Sequence, residues 1–242
     1  MIRFWLALLL LSPWLLWQAR RTRATTPRLP EAGGEPHGLC GDEGPILRLL
    51  VVGESTAAGV GVQTHDQGLA AHLAEQLSAR FRRPVGWQTV GINGIRAAGL
   101  LEHLVSVPPA DLAIISLGVN DTTSLTRRHA YRQALSDLIV ALRSDNADLP
   151  IYILAVPPMQ RFTALPRPLR DLLGWRAQGL DRVQRDLARA LPGVRHLVYP
   201  LVDGEGLLAE DGYHPSARGY AYIAGAVADG IREDRPTVVD SR

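Results

Sequence analysis

Four short clusters in this chain hold the residue types that acyl transfer requires. They are Gly53-Glu54-Ser55-Thr56, Gly91-Ile92-Asn93-Gly94, Gly118-Val119-Asn120-Asp121 and Asp211-Gly212-Tyr213-His214. A serine hydroxyl is a poor nucleophile until a neighbouring base takes its proton, so Ser55 needs a partner. An imidazole such as that of His214 can accept that proton at neutral pH. Asp211 stands three residues earlier on the same loop. A single turn would bring its carboxylate to the other ring nitrogen, fixing the tautomer and stabilising the imidazolium. Attack on an ester builds negative charge on the carbonyl oxygen, and each donor aimed there is worth about 3 kcal/mol in comparable hydrolases. The candidate donors are the Ser55 N–H, the Gly94 N–H and the Asn120 side-chain amide. Glycine at 94 would let the backbone approach the oxyanion closely.

The elements that must position these clusters follow from hydrophobic patterning. Apolar runs over 46–52, 85–90, 112–117, 151–156 and 196–201 are read as five buried parallel strands. Helical spacing of apolar residues predicts helices over 68–81, 95–105, 127–143, 180–191 and 216–231, the last with Ser216 as N-cap. Strands alternating with amphipathic helices indicate right-handed βαβ units and a parallel sheet covered on both faces. Ligands in such folds bind beyond the carboxyl ends of the strands. The first three clusters each follow a predicted strand, and the fourth precedes the last helix. The stretch 157–168 follows the fourth strand, so Met159, Gln160, Arg161, Phe162 and Leu165 are expected to overhang the site, with the apolar members available to line an acyl pocket. Trp87 and Trp175 are assigned to the core.

Composition narrows the function classes. The 242 residues fit one α/β domain plus an extra segment, and the 46% hydrophobic content supplies its core. Charged residues make up 21%, with a net charge of only +2. The arginines are scattered along helices rather than interleaved with aromatics, which argues against a nucleic-acid partner. The single cysteine, Cys40, permits neither an intrachain disulfide nor a cysteine metal cluster.

The organisation is read as an apolar segment over 1–21, a Pro/Gly-rich linker over 22–45, a catalytic domain over 46–235 and a tail over 236–242. As a helix, the run from Phe4 to Trp17 would be roughly 21 Å long, against about 30 Å for a hydrocarbon core. That length suits a signal-peptide core. However, no small-residue cleavage site follows it. Arg20, Arg21 and Arg23 lie after the run, and Trp14 and Trp17 suit a membrane interface. The segment is therefore read as an uncleaved anchor or interfacial helix in preference to a cleaved export signal, with a buried helix of the domain as the remaining alternative. This makes the chain membrane-associated through residues 4–17 or, on the second reading, exported.

Taken in order, the clusters resemble the blocks of the SGNH hydrolases, also called the GDSL family. The family's Gly-Asp-Ser is similar to Gly53-Glu54-Ser55, with Glu54 in place of the usual Asp. Its second-block glycine matches Gly94, although Asn93 stands where Ser is common. Its Gly-x-Asn-Asp matches Gly118 to Asp121, and its Asp-x-x-His matches Asp211 to His214. The resemblance spans about residues 46–231. It implies a three-layer α/β/α, flavodoxin-like fold on a five-stranded parallel sheet. It also implies hydrolysis of small-molecule or lipidic esters through an acyl-enzyme, with no metal or cofactor. Ser55, Asp211 and His214 would be the catalytic residues and Ser55, Gly94 and Asn120 the oxyanion hole, with Asp121 supporting its loop. An acyltransferase using the same intermediate, or a non-catalytic ester- or glycan-binding module on the same fold, are the alternatives.

Competing motifs fail on their residues. The α/β-hydrolase elbow needs glycine two positions after the serine, where Ala57 stands. Gly59-Val60-Gly61 lacks the third glycine of a dinucleotide loop and carries no phosphate-loop lysine. His65-Asp66 has no second histidine at ligand spacing, and Asp66 is read as a cap for the helix that follows.

Overall fold

The computed structural model describes residues 2–104, 107–162, 164–202 and 204–232. The tail over 236–242, the last residues of the domain assignment and Val105 at the end of one predicted helix lie outside them.

Among the described residues six strands form one sheet, in the order β1-β3-β2-β4-β5-β6. They are β1 (His37–Cys40), β2 (Leu47–Gly53), β3 (Val85–Gly91), β4 (Leu112–Ser116), β5 (Ile151–Leu154) and β6 (Val194–Leu197). β2 to β6 are all parallel. Counted alone they run in the flavodoxin-like order, which reverses direction beside β2. The helices are α1 (Ile2–Thr25), α2 (Leu69–Phe81), α3 (Ala97–His103), the short α4 (Val119–Thr123), α5 (Arg128–Leu142), α6 (Leu169–Ala190) and α7 (Ala217–Gly230).

The apolar runs became strands because both faces of the sheet are covered, so alternate side chains enter two different cores. Leu50, Val52, Ala113, Ile115, Ile151 and Ile153 pack toward α3, α5 and α6, where they meet Leu100, Leu135, Leu138 and Leu180. Leu49, Val51, Leu112, Ile114, Tyr152 and Leu154 pack toward α2 and α7, against Leu73, Leu77, Ile223 and Val227. Ser216 accepts a hydrogen bond from the Gly219 N–H at the start of α7, as its cap position requires.

Several local expectations are corrected. The sheet has one strand more than the five expected: β1, inside the stretch read as a linker, pairs antiparallel with β3 and covers an otherwise open edge. α6 begins eleven residues before the predicted start. Its inward face is set by Leu172, Ala177, Leu180 and Leu187, which turns Trp175 outward to 52% exposure, whereas Trp87 is buried as expected. Asp66 lies in a 3-10 turn over His65–Gln67, and α2 is capped by Gly68 with no side-chain bond. No helix among the described residues is long and apolar enough to cross a membrane. Instead α1 lies along α6, with Phe4 and Leu15 buried against Leu172.

Candidate active site

Ser55 sits in the turn directly after β2, at the reversal point of the sheet. The turn is held by hydrogen bonds from the Glu54 N–H to Ser116 O (3.0 Å) and from the Val60 N–H to Ser55 O (3.0 Å). The side chain is nearly buried, and the Ser55 N–H donates to nothing among the described residues.

Asp211 and His214 lie on a tight loop closed by a bond from the Ala209 N–H to His214 O (2.8 Å) and a bond from the Gly212 N–H to Ala209 O (3.0 Å). Gly212 takes a φ of +70°, a conformation glycine adopts without penalty. The single turn expected between the two residues is formed. Asp211 Oδ2 meets His214 Nδ1 at 2.6 Å, while Asp211 Oδ1 accepts the N–H groups of Tyr213 (2.9 Å) and His214 (3.0 Å). Burial alone would raise the Asp211 pKa, but the His214 ring and these two N–H donors outweigh it, so its carboxyl is held below the usual range.

The Gly59-Val60-Gly61 run backs onto this loop. At Gly61, whose φ is +105°, a Cβ would sit 2.3 Å from Pro215 O and 3.3 Å from His214 Cβ. Tyr220 of α7 donates to Val60 O at 2.7 Å, which ties the run to the layer beneath.

Asn120 occupies the first turn of α4, just after β4. Glu54 anchors it. The Glu54 carboxylate accepts the Val119 N–H (2.8 Å), the Asn120 N–H (2.9 Å) and Asn120 Nδ2 (2.6 Å), leaving one Nδ2 hydrogen free for a ligand. Only 3% of Glu54 is exposed, and desolvation outweighs the three donors, raising its pKa to about 7. Asp121 turns away from the site and accepts the Ala97 N–H at 2.9 Å, which supports the start of α3.

Ser55, Asn120 and His214 line one cavity of about 420 Å³, with Asp211 behind the His214 ring. Among the described residues Ser55 and His214 face this shared space without a hydrogen bond between them, an arrangement common before substrate arrives. Gly94, with a φ of +84°, is exposed beside the cavity, and its neighbour Asn93 contributes to the wall instead. The Asn93 N–H is already occupied by Glu31 Oε1 at 2.6 Å. Met159, Phe162 and Leu165 line the apolar side, while Gln160 and Arg161 point elsewhere.

Sequence reasoning missed part of the wall. Thr22 and Arg23 from the end of α1, together with Thr26 and Arg28 just beyond it, close one side, and Leu169 and Leu173 of α6 extend the apolar surface. Only the apolar character of α1 hinted that it needed a partner; nothing local to residues 22–28 names the one it found.

Residues 51–222 match the model of the GDSL-like lipase/acylhydrolase family. A GDSL-like esterase of Mycobacterium tuberculosis is 30% identical over 241 residues, covering 90% of this chain and 76% of that protein. The solved structure of a lipase from a goat rumen metagenome superposes with a TM-score of 0.60 at 18% identity, over 76% of this chain and 96% of the other. A psychrotrophic esterase from Pseudoalteromonas sp. superposes with a TM-score of 0.54 at 16% identity, over 75% and 94%. The chain belongs to the GDSL-like lipase/acylhydrolase family and, at the level of that family, is an ester hydrolase.

Proposed function

We propose that the chain cleaves carboxylic esters through an acyl-enzyme on Ser55, with His214 as general base and acid and Asp211 as its orienting carboxylate. The observation that carries this reading is the buried Asp211 carboxylate, 2.6 Å from the ring of a histidine that shares a cavity wall with Ser55.

His214 Nε2 takes the Ser55 proton as Oγ attacks the ester carbonyl. Asp211 stays ionised throughout and stabilises the imidazolium. The oxyanion is received by the Ser55 N–H and by Asn120 Nδ2. His214 then protonates the departing alkoxide. Water then attacks the acyl carbon as the same ring takes its proton; the Ser55 Oγ–acyl bond breaks, the ring returns the proton to Oγ, and the acid leaves. The wall formed by Met159, Phe162 and Leu165 accepts an apolar acyl chain.

A panel of p-nitrophenyl acyl esters run on wild type and Ser55→Ala tests this. The expected result is turnover in the wild type and its loss in a variant that stays folded, with a fluorophosphonate labelling Ser55 only in the wild type. Equal turnover in both proteins would remove Ser55 from the chemistry.

A further inference from the structure

α1 presents two different surfaces. Its inner face, carrying Phe4, Leu15 and Gln18, is buried against the start of α6. Gln18 is 3% exposed and bridges that contact, donating from Nε2 to Arg167 O (2.6 Å) and accepting the Leu169 N–H at Oε1 (3.3 Å). The outer surface is apolar and uncovered. Leu9 and Leu10 are 73% and 78% exposed, and Leu6, Trp14, Leu16 and Trp17 are about half exposed. A water-facing helix does not gather large apolar side chains in this way without a partner.

The chemistry of that partner can be read along the helix. Trp14 and Trp17 stack with ring centroids 4.8 Å apart, and the Arg21 guanidinium lies over the Trp17 ring at 5.3 Å. Arg20, Arg21 and Arg23 follow at once, all exposed. Exposed leucines suit acyl chains, indole rings suit the headgroup boundary and cations suit an anionic surface. A helix too short in its apolar part to cross a bilayer can still lie in its interface. The cationic end of the same helix reaches the site: Thr22 and Arg23, with Thr26 just beyond them, wall the cavity that holds Ser55 and His214.

We propose that α1 is an interfacial helix that seats its outer apolar face in an anionic lipid surface, so that the cavity beneath its last turns takes its ester from that surface. The delivery step rests on the esterase reading given above; the seating does not.

The test uses the full chain with vesicles of phosphatidylcholine mixed with phosphatidylglycerol, and with vesicles of phosphatidylcholine alone. The expected result is co-sedimentation with the mixed vesicles, a blue shift of tryptophan emission, and weaker binding to the neutral vesicles or at high salt. The double variant Leu9→Asp/Leu10→Asp is expected to lose roughly tenfold or more in vesicle partitioning. Its turnover of p-nitrophenyl butyrate in solution stays within about twofold of wild type, because these residues touch nothing in the site. Turnover of a long-chain ester carried in the mixed vesicles falls with the partitioning. Failure of the wild type to bind mixed vesicles overturns the proposal, as does equal binding by the variant. A wild-type dimer that the variant makes monomeric, without vesicle binding, would assign this face to a second copy instead. Vesicle binding without any ester turnover would retain the interfacial helix and dismiss the esterase reading.

Discussion

At the scale of single residues, the least expected arrangement is at Glu54. It replaces the shorter acid of the family block, yet its carboxylate spans the N-terminal turn of α4 and holds the Asn120 amide in place. With Asn120 as the proposed oxyanion donor, Glu54 is assigned the part of a positioning residue. Glu54→Gln would put an NH2 group against donors that need an acceptor, so kcat is expected to fall by about 10- to 100-fold with KM little changed. Steady-state kinetics on a soluble ester check this, and a rise in KM alone would show that Glu54 serves binding instead. Asp211→Asn is expected to cost more, roughly 10³- to 10⁴-fold in kcat, because the ring loses both its tautomer and its countercharge. The positions of the candidate residues were legible because each follows an apolar run or precedes a capped helix, so local sequence marks where it must lie. The bracing bonds of Glu54 were not legible: they join positions 65 and 66 residues apart, and no spacing rule predicts which N–H a buried carboxylate meets.

At the scale of elements, the parallel strands were plain because a strand buried on both faces is apolar at nearly every position. β1 was not, since His37–Cys40 shows no apolar alternation and only its pairing with β3 makes it a strand. The early start of α6 was hidden for a related reason: its first turns pack on α1 rather than on the sheet, so their pattern answers to an element far away in sequence. That packing predicts a kinetic effect. Gln18→Ala removes both side-chain bonds that pin α1 to Arg167 and to Leu169 at the start of α6, and the loosened wall is expected to raise KM for long-chain esters roughly three- to tenfold while acetyl esters change little. A uniform change across chain lengths would contradict the role given to α1. A stricter constraint lies at Gly118, where a Cβ would stand 2.6 Å from Val156 Cγ2 and 2.9 Å from the Tyr131 hydroxyl, on a backbone with φ of +133°. Gly118→Ala is expected to destabilise the fold by about 2–4 kcal/mol in urea unfolding, since overpacking and strain add.

At the scale of the whole molecule, stability follows from opposing titrations. Asp181, despite its burial, is held low by His196 and Arg185, and Asp211 by His214; both are more acidic in the folded chain than unfolded. Their contribution is complete above the unfolded carboxylate pKa, near 3.8, and is lost as pH falls through the lower folded values. Glu54 works in the other direction. Burial raises it to about 7, so the folded state holds its proton more tightly and stability declines as pH rises from about 4.5 to 7. The melting temperature is therefore expected to peak on the acid side of neutrality, and Glu54→Gln to shift that peak upward by removing the descending slope; thermal melts across pH 3–8 check both. One further consequence comes from the stretch between α1 and β1. It is stitched to the body by bonds from the Ala32 N–H to Ala58 O, from the Gly33 N–H to Gln63 O and from the His65 N–H to Gly33 O. These bonds fix the strap against the turns that follow Ser55. With Ser55 as the proposed nucleophile and α1 seated in lipid as proposed, the enzyme would act as a gauge, cleaving ester bonds at one depth and passing over identical ones nearer or farther away.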